Sequence, residues 1–243
     1  MLDKKMIAML MTLSMLAAAF AGCLGGEDED DDWTLMPADD VSADFVTSDW
    51  DPIIPNLNGG EMCDAIISAM TKTEERDQVV DFTRGYYTSS QGVIGAAGSA
   101  AISDVSDLNA AGTTIAVQSG TTSDLYAQDN LAAATIVAYG DFPSVVAAVG
   151  NGEADYAMGD SPVLALSGDL MTTFSDETFG LAVREDSGEL LDALNVAITA
   201  IVDSGEYDAI FGAWFDGAVV LTDDRDDNTA TSYPTPSEGS TLS

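Results

Sequence analysis

Residues 64–83 read Asp64-Ala65-Ile66-Ile67-Ser68-Ala69-Met70-Thr71-Lys72-Thr73-Glu74-Glu75-Arg76-Asp77-Gln78-Val79-Val80-Asp81-Phe82-Thr83. Cys63–Ile67, apolar but for Asp64, has the length of a short strand. Thr73–Val80 reads as a helix, with Glu74 and Glu75 in the first turn, where the helix dipole favours negative charge. Working outward, short β-rich runs alternate with helical patterns from Asp44 to Phe215. Strands are expected at Asp44–Thr47, Gly92–Ala97, Thr113–Gln118, Thr135–Ala138, Asp155–Met158 and Thr178–Val183. Helices are expected at Asp51–Asn58, Ser123–Asn130, Asp141–Gly150, Ser161–Ser167 and Tyr207–Trp214. The longest spans Ser187–Ser204, where Leu190, Leu191, Leu194, Ile198 and Ile201 recur at three- and four-residue spacing. Asp141 is placed as an N-cap and Gly150 as a stop. Such alternation implies an α/β fold with parallel sheets covered by helices on both faces.

The chain has 243 residues, with 42 Asp and Glu against 7 Lys and Arg, no His and a formal charge of −35. A polyanion of this kind does not bind a phosphate backbone, so nucleic acid is excluded as a partner. The absence of His removes Ser-His-Asp and Cys-His nucleophilic chemistry and any His-based zinc site. No metal site or cofactor is expected.

Lys4 and Lys5 precede an apolar run from Met6 to Phe20, and Ala21-Gly22 then leads into Cys23. This reads as an export signal over residues 1–22. Ala-Gly-Cys after an apolar stretch resembles a lipobox, which makes Cys23 the candidate lipidation site and the membrane a partner through the lipid. The run also fits an uncleaved anchor, only slightly short of a spanning helix, or an ordinary signal peptide with an incidental Cys. All three readings export the chain. Glu27 to Asp32 is an unbroken acidic run, so residues 23–43 are expected to be a solvated linker. Residues 216–243, acidic and then rich in Ser, Thr and Pro, are expected to be a disordered tail.

Several motifs resemble one family. Trp50-Asp51-x-x-Ile54-Pro55-x-Leu57-x-x-Gly60 comes first, then the stretch from Asp64 to Arg76, then Val80-Asp81-Phe82-Thr83 with Tyr86-Tyr87 after it. Asp107-Leu108, Val117-Gln118-Ser119-Gly120-Thr121-Thr122 and Asn151-Gly152-x-x-Asp155 follow, with Asp160 and lastly Gly205-x-Tyr207-x-x-Ile210-x-x-Trp214-Phe215. In order and type these are similar to the family 3 extracellular solute-binding proteins, the polar amino-acid receptors of ABC importers. The resemblance implies a two-lobe periplasmic-binding-protein-like fold of type 2, joined by two hinge strands and closing over a ligand. Residues 44–95 and 184–215 then form lobe I, and 96–183 form lobe II with the hinge strands, whose crossings are expected near Gly95–Gly98 and Thr178–Val183. The family's opening strand and helix do not fit between Cys23 and Asp44, so lobe I is expected to be truncated at its N-terminus.

An amino acid offers a carboxylate and an ammonium. The resemblance puts Arg76 at the carboxylate position, where its planar fork grips two oxygens as Lys cannot; a surface pairing with Glu75 or Asp77 is the plainer alternative. Ser68 and Thr71 offer hydroxyls and Ala69 a carbonyl, although strand-end and cap roles fit these residues as well. Thr121 lies where a strand turns into a helix, and amide groups at a helix start gather an anion. Asp160, at the carboxyl end of a strand, would receive the ammonium or cap the helix that follows it. Cys63 reads as an inert core thiol. The expected function is capture of an amino acid for an ABC permease. The alternatives are a non-binding surface or sensory domain, and, on this fold, a dehydratase or lytic transglycosylase-like enzyme.

Overall fold

The computed structural model describes residues 21–25, 43–185 and 187–215. The expected signal helix, most of the acidic linker and the tail lie outside the described residues. The chain divides into two units, with the described residues 21–25, 43–48, 52–88 and 178–215 in the first and 49–51 and 89–177 in the second. The crossings thus fall after Thr88 and after Glu177. The first comes earlier than the expected Gly95–Gly98, because one continuous strand begins in lobe I and runs on through Gly95.

Lobe I is built on a five-stranded sheet in the order β2-β1-β3-β10-β4. Its strands are β1 (Ala21–Gly25), β2 (Asp44–Ser48), β3 (Ala65–Ile66), β4 (Asp81–Phe82) and β10 (Ala182–Val183). Neighbouring strands here pair antiparallel, β1 with β2 and β3, and β10 with β3 and β4, which corrects the parallel expectation for this lobe. The reason is that its short strands come from distant parts of the chain and no helical crossover links neighbours. β1 is a second correction. Ala21–Gly25, expected in the leader and linker, pairs through its backbone with both β2 and β3 and holds an interior place in the sheet. Small and apolar residues suit such a strand, and the two flanking strands need a partner for their inward amides. Helix α1 (Ile53–Gly59) buries Ile53 and Leu57. Helix α5 (Gly188–Asp203) buries Leu194, Ile198 and Ile201, and α6 (Glu206–Phe215) follows it. Both pack on a core that contains Tyr86, Tyr87, Phe179, Leu181 and Val183.

Lobe II carries a five-stranded sheet in the order β7-β6-β8-β5-β9. The strands are β5 (Tyr87–Gly95), β6 (Thr114–Gln118), β7 (Thr135–Tyr139), β8 (Tyr156–Asp160) and β9 (Leu170–Phe179). β6 runs parallel to β7 and to β8, as strand–helix alternation requires, whereas β5 pairs antiparallel with β8. Helices α2 (Thr122–Asn130), α3 (Phe142–Gly150) and the single turn α4 (Ser161–Leu164) connect them. The expected cap on α3 is present, since Asp141 accepts the backbone N–H of Ser144 at 2.8 Å. Separate apolar clusters fill the lobe, one around Val93, Ile115 and Met158 and one around Phe142, Val145 and Leu164.

Candidate functional site

In lobe I the segment leaving β3 carries the expected residues. Ser68 and Thr71 are each 3% exposed, and Thr71 makes an isolated antiparallel bridge with Phe179. Ala69 has φ 49°, a left-handed conformation that costs an L-residue with a Cβ about 1–2 kcal/mol. Such strain persists only where the surroundings impose it. The helix expected at Thr73–Val80 shrinks to a 3-10 turn at Arg76–Gln78. No apolar stripe holds a longer helix there, and the Thr73 hydroxyl takes the Arg76 backbone N–H at 3.2 Å.

Arg76 is half-buried, and its Nη1 donates to the Thr71 carbonyl at 2.8 Å. That bond fixes one corner of a planar group with five N–H donors, and so fixes the direction of the rest. The structure therefore brings Arg76 and Thr71 into contact, with Ser68 and Ala69 a few residues earlier on the same segment.

In lobe II, parallel β6 and β8 deliver their carboxyl ends to the same sheet edge, with Thr121 three residues beyond β6 and Asp160 closing β8. Thr121 is the N-cap of α2. Its hydroxyl donates to the Gln118 carbonyl at 2.7 Å and accepts the Asp124 N–H at 3.4 Å. The Gly120 N–H goes to Asp124 Oδ2 at 3.0 Å and the Thr121 N–H to the Gln118 carbonyl at 3.3 Å. The start of this helix is thus partly satisfied from within, which reduces what it can offer an anion.

Asp160 occupies the N-cap position of α4 but makes no side-chain cap bond there. Its Oδ1 instead accepts Gln91 Nε2 at 2.7 Å. Gln91 was missed in the sequence, as were its other partners. Gln91 Nε2 also lies 3.0 Å from Glu177 Oε2 and 3.3 Å from Thr122 Oγ1, while the Thr122 hydroxyl donates to Glu177 Oε2 at 2.8 Å. The Ser123 hydroxyl donates to Gln91 Oε1. Gln91 is 1% exposed and Glu177 4%, so this network is buried. One signal was available: a polar residue next to the apolar run that begins at Gly92.

Other residues of the motifs and their neighbours make internal contacts. Arg84 is buried, its backbone N–H donating to Asn195 Oδ1 at 2.7 Å and its Nη1 to the Thr199 hydroxyl at 2.5 Å. Tyr87 packs on Phe211 with ring centroids 5.5 Å apart, and the Tyr207 hydroxyl donates to the Tyr86 carbonyl at 2.5 Å. Cys63 is disulfide-bonded rather than a free thiol, which corrects the reading of it as inert; the sequence has one other cysteine, Cys23.

Two α/β lobes connected by a pair of crossings, with polar residues gathered at strand ends, define the class of two-lobe solute-binding proteins. The chain belongs to the bacterial extracellular solute-binding proteins, family 3, whose model matches residues 36–217. It is 32% identical to ABC transporter arginine-binding protein 1 of Escherichia coli strain K12 over 183 residues, 70% of this chain and 73% of that protein. It is 30% identical to the L-arginine-binding protein of Pseudomonas aeruginosa over 211 residues, 80% of each. Among solved structures it is similar to an ancestral amino acid-binding protein described as a precursor of cyclohexadienyl dehydratase. The TM-score is 0.66 at 33% identity, covering 70% of this chain and 76% of that one.

Proposed function

We propose that the protein captures an amino acid, or a similar small zwitterion, outside the cell and presents it to an ABC permease. The observation that carries this is the fixed direction of the Arg76 guanidinium, one corner of which is held by the Thr71 carbonyl at 2.8 Å. A guanidinium fork suits the two oxygens of a carboxylate. Ser68, Thr71 and the Ala69 carbonyl add short-range partners in lobe I. Asp160 in lobe II supplies the anion for the ammonium, and Thr121 a further hydroxyl. Each lobe, taken by itself, thus carries a group suited to one of the two charges of a zwitterion.

The role is binding, not catalysis. One relative is named as an ABC transporter binding protein and a second as an arginine-binding protein, and the sequence contains no His to serve as a general base near neutral pH. A disulfide at Cys63 suits an oxidising compartment, in keeping with export. A lipid at Cys23 is the finer proposal for retention at the outer face of the membrane, and it competes with that disulfide for a cysteine.

The test is a thermal-shift screen of the common L-amino acids. A ligand at 100 times its Kd stabilises the folded state by about 2.7 kcal/mol, which raises Tm by several degrees. Arg76→Ala is expected to abolish the shift while leaving the unliganded Tm close to wild type. No shift with any amino acid would overturn the reading.

A further inference from the structure

We propose that Gln91 is the positioning residue of lobe II, holding the Asp160 carboxylate in the orientation that receives a ligand ammonium. The inference rests on the reading of Asp160 given above and extends it to a residue that no ligand need touch. Gln91 lies on β5 directly opposite Asp160 on β8, as Cα partners in the antiparallel register, so the two side chains emerge on the same face. β9 flanks β5 on the other side and brings Glu177 to the same amide.

Counting hydrogens decides what the amide does. A glutamine Nε2 has two, and three acceptors stand within reach of it. Asp160 Oδ1 at 2.7 Å and Glu177 Oε2 at 3.0 Å are the closer two, and Thr122 Oγ1 at 3.3 Å is the farthest. The two carboxylates are nearer and charged, so they take the amide hydrogens ahead of Thr122 Oγ1, whose own hydrogen goes to Glu177. The reverse orientation of the amide would set an oxygen against both anions. The same choice leaves Oε1 as the acceptor for Ser123. One neutral, 1%-exposed side chain therefore spaces two carboxylates and fixes the Oδ1 of one of them.

An Asp160 held in this way keeps its carboxylate in a set orientation, which lowers the ordering cost of binding an ammonium. Glu177 is the counterweight: its Oε2 also takes Thr122, and its Oε1 lies 3.4 Å from the Ser175 hydroxyl. Serving a buried internal network, it is not expected to contact ligand.

The experiment is isothermal titration calorimetry on the full chain, with wild type, Gln91→Met, Asp160→Asn and the double variant. The probes are L-arginine and L-glutamine, each compared with its analogue lacking the α-ammonium. Gln91→Met keeps the length and loses the amide, and is expected to weaken the amino acid by about 10- to 100-fold, the range for a hydrogen bond to a charged group. The analogues should change by less than about threefold, since they have no group for Asp160 to hold. Adding Gln91→Met to Asp160→Asn should cost nothing further. If Gln91→Met does not fold, Gln91→Asn, one methylene too short to span the two carboxylates, is expected to give the same selectivity. Equal weakening of amino acid and analogue would make Gln91 merely structural and overturn the proposal, leaving the receptor reading intact. A wild type that binds neither amino acid removes the basis of both.

Discussion

Ala69 is the residue whose backbone says most about lobe I. It is 8% exposed, has φ 49° and lies between buried Ser68 and Met70. Ala69→Gly removes the Cβ that the left-handed region penalises but adds freedom to the unfolded chain, so unfolding free energy is expected to stay within about 1 kcal/mol of wild type. Ala69→Val puts a β-branched side chain there and is expected to cost about 1–3 kcal/mol. Urea unfolding of the two variants measures the difference, and equal stability would show that the segment can leave this conformation. Neither the strain at Ala69 nor the role of Gln91 was legible in the sequence. Asp160, Thr121 and Arg76 stand out in it as candidates, the first two through their places after strands and the Arg through the family resemblance. Gln91 acts through Asp160 and Glu177, which lie 69 and 86 residues away along the chain, and only the sheet brings them together.

Elements with a strong local signal were read well. α5 shows apolar residues at three- and four-residue spacing, and its buried face is Leu194, Ile198 and Ile201, with Val196 64% exposed away from it. β9 was missed over most of its length because Thr172, Thr173, Ser175, Asp176 and Glu177 interrupt it and Ser175 takes φ 49°. β1 was missed for a different reason: its residues carry a processing signal that reads more loudly than a strand. Cleavage before Cys23 would remove Ala21 and Gly22, which pair with Ser48 and Thr47. If the bridge at Cys63 is made within the chain, the sequence has no further cysteine left for a lipid. The two modifications are therefore expected to exclude one another on any single molecule. Denaturing alkylation with intact mass measures this: lipid-bearing protein should take up one alkyl group without reductant, and lipid-free protein none until it is reduced. A lipid-free fraction that alkylates without reductant would separate Cys63 from any internal bridge.

At the scale of the whole molecule the dominant fact is charge. The sequence carries 42 acidic side chains against 7 basic ones, and the ion pair Arg184–Asp64 at 3.0 Å anchors the last of the lobe I strands to the segment around Cys63. Within lobe I, Arg76 donates to a backbone carbonyl and Arg84 to a helix hydroxyl. Unscreened, a net charge of −35 opposes compaction. Salt shortens the reach of that repulsion from a Debye length of about 10 Å at 0.1 M to about 3 Å at 1 M. Unfolding spreads the same charges apart, so screening stabilises the folded state more than the unfolded one. Tm is therefore expected to rise steadily from dilute buffer to 1 M or more of sodium chloride, continuing beyond the range in which a single surface pair would already be screened. The control is a neutral osmolyte at matched water activity, which excludes volume without screening charge. A Tm that is flat in sodium chloride, or that rises equally with the osmolyte, would separate the acidic composition from the stability of the fold.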